Sequence, residues 1–387
     1  MKTLSIDIET FSSVNLVKSG VYKYTSVPDF EILLFAYAFD DEEVEIIDIA
    51  SGESLPIEVA SALTNDSIIK TAYNANFERI CLSKYLKQHL SSNSWQCTEV
   101  QAAMLGLPLS LKGVGQVLRL EQQKMQEGKD LIRYFSISCK PTKTNGERTR
   151  NFPHHAHEKW KLFKDYCKQD VEVERAIRTK IAKYPISQNE QRLYILDQKI
   201  NERGVLIDRN LVEQAIACDE IQKEKNFVKA QDLTGVENPN SVSQLKEWLL
   251  ENGVEVASLS KKTVTDLAKQ SDGAVEKLLN LRLQLAKTSI KKYEAIERAV
   301  CPDGRVRGLL QFYGANRTGR WAGRLVQVQN LPQNHLKDLT LARDLLKQGS
   351  FNELELLFES VSNLLSELYV QLLFQNKTRS EERRVGK

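Results

Sequence analysis

Strand-like alternation of apolar and polar positions and helical periodicity take turns in the first hundred residues, and long patterns with a period near 3.6 dominate from Asn189. Leu4, Ile6 and Ile8 alternate with Ser5, Asp7 and Glu9, which predicts a strand over Thr3–Glu9 with one apolar and one polar face. Further strands are predicted at Glu31–Phe39, Val44–Ile49, Ile68–Tyr73 and Trp95–Val100. The second and third are joined by the polar turn Asp40-Asp41-Glu42, as in a hairpin. Helices fit Pro56–Leu63 and Phe77–His89, so the opening segment reads as a mixed α/β sheet domain.

Residues 136–156 are polar, contain prolines and predict an exposed loop. A helix from His157 to Lys183 follows, with Trp160, Phe163, Tyr166, Cys167 and Val171 along one side. Pro185 ends it. From Asn189 long helical patterns dominate, over 189–203, 209–232, 242–252, 261–269 and 273–300. Ser241 is placed to cap the helical pattern VSQLKEWLL, and Asn252-Gly253 to stop it. After Pro302 short strands return at Arg305–Phe312 and Leu325–Gln329, then helices at 339–347 and 352–375.

With 387 residues, two or three domains are expected. The net charge of +3 is near neutral, but residues 30–60 are acidic and 282–324 basic. No apolar run is long enough to span a membrane, and the start lacks the blocks of a signal peptide. The six cysteines are scattered with no CxxC, which predicts reduced thiols and no zinc site. His154, His155 and His157 cannot all face one side of a helix, so they read as a loop and helix-start cluster.

In SIDIET, Asp7 and Glu9 project from the same strand face, where like charges repel. A D-x-E pair alone says little, since it recurs at Asp40/Glu42, Asp41/Glu43 and Asp170/Glu172. Two further features give it weight. Glu78 lies at a strand-to-helix junction in YNANFE. Tyr166 and Asp170 stand one above the other at i, i+4 on a helix. Four carboxylates from separated segments suit hard divalent cations. Two such cations stabilise the attacking and leaving oxygens of phosphodiester hydrolysis, and a tyrosine hydroxyl can orient the water.

SIDIET, YNANFE and YCKQD, in this order and spacing, resemble the three motifs of proofreading 3'→5' exonucleases. The resemblance implies a ribonuclease H-like fold, two Mg²⁺ or Mn²⁺ ions, Asp7, Glu9, Glu78 and Asp170 as ligands, and Tyr166 as a catalytic partner. It also implies Asn74 and Phe77 as contacts to the DNA end. One departure stands out: the second motif usually carries aspartate where this chain has Glu78.

In residues 303–333, Arg305, Arg307, Arg317, Arg320 and Arg324 are interleaved with Phe312, Tyr313 and Trp321, and five glycines allow close backbone approach. Arginine forks suit phosphates, and amides such as Gln327, Gln329 and Asn330 can read base edges. A twisted ribbon with a solvated basic face uses the same residue types. The wording RTGRWAGRLVQVQNLP resembles the start of the palm in family A DNA polymerases, the relatives of bacterial DNA polymerase I, and phage and prophage forms match best.

That resemblance implies an exonuclease domain at 1–188, a helical thumb at 189–301 and the start of an α+β palm, incomplete, at 302–377. It implies Arg320 and Gln329 as contacts to the minor groove of a DNA primer-template near the primer end, Arg317, Asn330 and Lys287 as supporting contacts, and a monomer in a bacterial cytoplasm. No D-(F/Y)-S-x-(I/L)-E motif follows the helix at 358–375, so these residues are not expected to transfer nucleotides. RSEERRVGK, 379–387, resembles a translated sequencing adapter, and residues 378–387 are expected to be a non-native tail. A free-standing 3'→5' exonuclease, and a non-catalytic DNA-binding protein with a degenerate site, are the alternatives.

Overall fold

The computed structural model describes residues 2–121, 125, 127–287, 290–315, 317–330, 338–358 and 360–369; of Gln329 it describes the backbone only. The expected tail at 378–387 lies outside the described residues. The chain forms two compact units, Met1–Val205 with Ala299–Gln329, and Leu206–Arg298 with Asn330–Lys387. Residues 189–205 and 299–329 thus pack in the unit that holds the sheet, so compactness divides the chain differently from its breaks in composition.

The first unit is built on a five-stranded mixed sheet of β1 (Thr3–Phe11), β2 (Glu31–Phe39), β3 (Glu45–Ile47), β4 (Ile69–Ala72) and β5 (Trp95–Cys97), in the order β3-β2-β1-β4-β5. β1 pairs antiparallel with β2 and parallel with β4. All five strands lie where the sequence places them, with shorter ends at β3, β4 and β5. The half-polar reading of β1 needs correcting, because both of its faces are covered. Leu4, Ile6 and Ile8 enter one core cluster, while the opposite face of the sheet, with Leu34, Ala36 and Ala38 of β2, is covered by Trp160, Phe163, Tyr166, Cys167 and Val171.

Those five residues belong to α7 (His157–Ile181), the longest helix of the unit, whose apolar stripe was legible in the sequence. Around the sheet stand α1 (Leu16–Tyr24), α2 (Ile57–Thr64), α3 (Ala75–Tyr85), α4 (Thr98–Met104), α5 (Leu111–Val117), α6 (Gly128–Phe135) and α8 (Gln188–Arg203). A two-stranded ribbon, Leu310–Ala315 with Arg320–Gly323, completes the unit. The strand expected at Leu325–Gln329 does not form. Leu325 and Gln327 adopt positive φ of 54° and 50°, outside the extended region, and Val328–Asn330 is a 3₁₀ turn.

The second unit is helical as far as it is described. Its helices are α9 (Arg209–Thr234), α10 (Val242–Glu251), α11 (Lys261–Ala268), α12 (Gly273–Leu285), α13 (Ile290–Ala299), α14 (Leu339–Lys347), α15 (Phe351–Leu357) and α16 (Val361–Leu368). Ser241 caps α10 as expected, and Gly253 follows its end with φ 77°. The helix expected at 273–300 is two helices, and the one expected at 352–375 is broken at Phe358, which is extended; residues 370–375 lie outside the described ones. Asp208 caps α9 and receives Arg343 at 2.9 Å and Lys347 at 2.8 Å from α14. Among the described residues no helix is long and apolar enough to cross a membrane. All six cysteines are free.

Candidate active site

Asp7 and Glu9 stand opposite Ala36 and Leu34 in the antiparallel register, near the C-terminal end of β1. Two residues apart on a strand, they share a face, and that face meets α7. β4 runs parallel to β1 and ends at Ala72, so the chain turns there into the first turn of α3, which carries Glu78. On α7 the i, i+4 pair Tyr166 and Asp170 faces inward, 1% and 5% exposed. The result is one cavity of about 530 Å³ lined by Asp7, Glu9, Asn74, Phe77, Glu78, Tyr166 and Asp170. Ser12, Ser13, Tyr24, Ile132 of α6 and Ser136 just past its end are among the other residues of its wall.

The electrostatics are those of crowded, buried acids. Glu9 is 8% and Glu78 5% exposed. Burial, and then the negative charge of Asp7, push the Glu78 carboxyl well above the usual range. One of its oxygens, Oε2, is buried without a hydrogen-bond partner among the described residues. Burial and the neighbouring Asp170 push the Tyr166 phenol up as well, and the hydroxyl is hydrogen-bonded to the Asp170 carboxylate. The Cys167 thiol is 3.4 Å from Asp7 Oδ2 and donates to it. Burial, and then Asp7, keep that thiol protonated.

Such a set is chemically a site for hard cations. Every candidate ligand is oxygen, and a divalent ion would offset both the burial and the Asp7 charge that lift Glu78. Among the described residues, however, no three His, Cys, Asp or Glu side chains stand close enough together to chelate one ion as they are. By chemistry alone, an all-oxygen donor set is of the kind that Mg²⁺ or Mn²⁺ prefers.

The basic residues lie elsewhere. Arg317 and Arg320 are exposed at the turn and second strand of the ribbon, and Asn330 is exposed at the 3₁₀ turn after it. None of the three lines the acidic cavity. The Gln329 side chain lies outside the described residues. Lys287 belongs to the second unit, where its ammonium reaches Asn363 Oδ1 at 2.7 Å. His154 and His155 sit in a 3₁₀ turn just before α7, with His155 Nδ1 accepting from the Phe152 backbone N–H at 2.9 Å.

Three neighbours of the cavity escaped the sequence reading. Cys167 sits inside YCKQD but looked like core. Glu174, one turn beyond Asp170, is 2% exposed and held by Thr98 and Arg178. The α6 wall had no signal, because the segment around it is polar and glycine-containing. The i, i+4 spacing that singled out Tyr166 and Asp170 extends to Glu174.

No protein-family model matches the chain. A DNA polymerase of Bacillus phage SP02 is 59% identical over 369 residues, which cover 95% of this chain and 57% of that relative. The chain therefore spans little more than half the length of the relative it matches. Among solved structures, the POL domain of Pol1 from M. smegmatis, in complex with DNA primer-template and dNTP, is similar at a TM-score of 0.52 and 15% identity. The likeness covers 87% of this chain and 53% of that one, and speaks for the fold alone.

Proposed function

We propose that the chain belongs to the DNA polymerase family of its phage relative and that its acidic cavity is the two-metal 3'→5' exonuclease site of a family A DNA polymerase. The observation that carries this reading is the convergence of Asp7, Glu9, Glu78, Tyr166 and Asp170, from distant segments, on one cavity. The sheet order β3-β2-β1-β4-β5, with β1 antiparallel to β2 and parallel to β4, supports a ribonuclease H-like exonuclease arrangement.

Asp7, Glu9, Glu78 and Asp170 would hold the ions. When bound, Mg²⁺ or Mn²⁺ polarises the scissile phosphate and lowers the pKa of a bound water. Tyr166 acts through its hydroxyl. The hydroxyl donates a hydrogen bond to the Asp170 carboxylate and keeps its proton, so the phenolic oxygen remains an acceptor that can fix the orientation of a water. Because burial keeps that phenol protonated, the arrangement holds at neutral pH. Phe77 offers a ring on which the last bases of a single strand can stack, and Asn74 an amide for its backbone.

Arg320 and Gln329 are assigned to the minor groove of a primer-template duplex near the primer end, with Arg317, Asn330 and Lys287 as supporting contacts. On the same reading residues 1–188 are the exonuclease domain, 189–301 the thumb and 302–377 the start of the palm, in a monomer of a bacterial cytoplasm.

The test is digestion of a 5'-labelled single-stranded DNA in Mg²⁺, beside Asp7→Ala. A ladder shortening from the 3' end, absent in the variant and with EDTA, is expected. Intact DNA with a well-folded sample that still binds it would favour a non-catalytic DNA-binding protein instead. The absence of a ready chelating triad among the described residues would then be the relevant feature.

A further inference from the structure

α6 begins at Gly128, and this glycine is buried against the Tyr166 ring. A Cβ on Gly128 would lie 2.7 Å from Cδ2 and 2.8 Å from Cζ of Tyr166, and closer still to Cε2. Carbon atoms do not approach so near without something moving. Backbone conformation does not call for glycine here, since Gly128 is absent from the residues of positive φ and is helical. A first-turn alanine would by itself favour the helix. The position is glycine for space, and the space is filled by the ring.

The ring has little room to yield. Phe163, one turn earlier on α7, lies nearly parallel to it, with centroids 6.1 Å apart and planes 12° apart. Phe135, at the other end of α6, stacks on Phe163 at 5.4 Å. Leu131 and Phe135 anchor α6 in the same core cluster as Tyr166. The Tyr166 hydroxyl is tied to Asp170. If α6 yielded instead, Ile132 and Ser136 would move, and they form part of the cavity wall.

We propose that Gly128 is a positioning residue for the exonuclease reaction: by lacking a side chain it seats the Tyr166 ring so that the hydroxyl stands over Asp170 in the cavity. This rests on the reading of the cavity as the exonuclease site. Gly128→Ala displaces the ring or the helix, and a misplacement of about 1 Å is expected to lower kcat by about 100-fold. KM for DNA and the half-saturating Mg²⁺ concentration should stay within about twofold, because no ligand and no DNA contact is removed.

The experiment is a double-mutant cycle on the full chain with Gly128→Ala, Tyr166→Ala and both together, repeated with Tyr166→Phe, reading kcat, KM and melting temperature. In the parent and in Tyr166→Phe, which keeps the ring, Gly128→Ala should lower the melting temperature alike. In Tyr166→Ala it should cost nothing or stabilise, and lower kcat no further. An equal penalty in all three backgrounds overturns the proposal. So does a Gly128→Ala protein with the parent's kcat, whether or not its melting temperature falls. Should Tyr166→Ala not fold, the Tyr166→Phe pair still tests the steric claim, and a penalty that vanishes there refutes it. If the parent digests no DNA, the exonuclease reading has failed and with it the catalytic part of the proposal. The melting temperatures then judge the packing separately.

Discussion

Glu99, on α4, offers a test of the packing around the ribbon that can be worked to a magnitude. Its carboxylate accepts from Gln311 Nε2 at 3.1 Å, and Gln311 lies on the first strand of the ribbon. Burial pushes the Glu99 carboxyl from 4.5 up to about 7, against the opposing pull of Arg324 and the Gln311 hydrogen bond. The unfolded chain releases this proton near 4.5, whereas the folded protein holds it to about 7. Between those values the folded state binds more protons, so its stability falls as pH rises through the window and levels off above it. A rise from 4.5 to about 7 corresponds to ~3 kcal/mol. Glu99→Gln keeps an oxygen for Gln311 and removes the charge. The variant should match the parent at pH 4 and be more stable by ~3 kcal/mol at pH 8. Urea unfolding followed by tryptophan fluorescence at both pH values measures this, provided the slope with denaturant is unchanged. An equal difference at the two pH values, or a less stable variant at pH 8, would refute the reasoning.

Other consequences are independent of Glu99. Asp7→Asn should slow single-turnover DNA cleavage by at least about 100-fold, because ligation of a cation is worth several kcal/mol in the transition state. It should not lower the melting temperature, since it removes a charge that lifts Glu78. Asp208→Ala leaves Arg343 and Lys347 without the buried carboxylate they share. It should cost about 3 kcal/mol in the second unit, read by denaturant unfolding. Arg320→Ala should weaken binding to primer-template of any sequence alike and reduce the dependence of log affinity on log salt by about 1, measured by fluorescence anisotropy.

The elements legible in the sequence were those with a long, clean period. β2 is apolar at nearly every position because it lies in the middle of its half of the sheet with both faces covered, and eight of its nine residues are buried. α7 carried an apolar stripe from Trp160 to Val171. The helices α1, α4, α5 and α6 were missed for local reasons: α1 and α5 carry interior glycines, α4 follows directly on the apolar strand β5, and α6 starts at a glycine in a polar segment. The absent strand at Leu325–Gln329 shows the converse: alternating apolar residues predict extension, but two positive φ values decide otherwise. At the site, spacing exposed Asp7 with Glu9 and Tyr166 with Asp170, since both pairs are local. Gly128 and Cys167 could not be read in this way. Their roles depend on contacts between α6 and α7 and between α7 and β1, which no local pattern encodes.

The central claim is that these carboxylates bind divalent cations, and diffraction at the manganese edge tests it most directly. Crystals of the chain grown with Mn²⁺ and a short single-stranded DNA should show anomalous peaks within the 530 Å³ cavity, bonded to oxygens of Asp7 and its partners Glu9, Glu78 and Asp170. Intact density for these side chains with no anomalous peak among them, at Mn²⁺ concentrations that saturate other sites, would contradict the account.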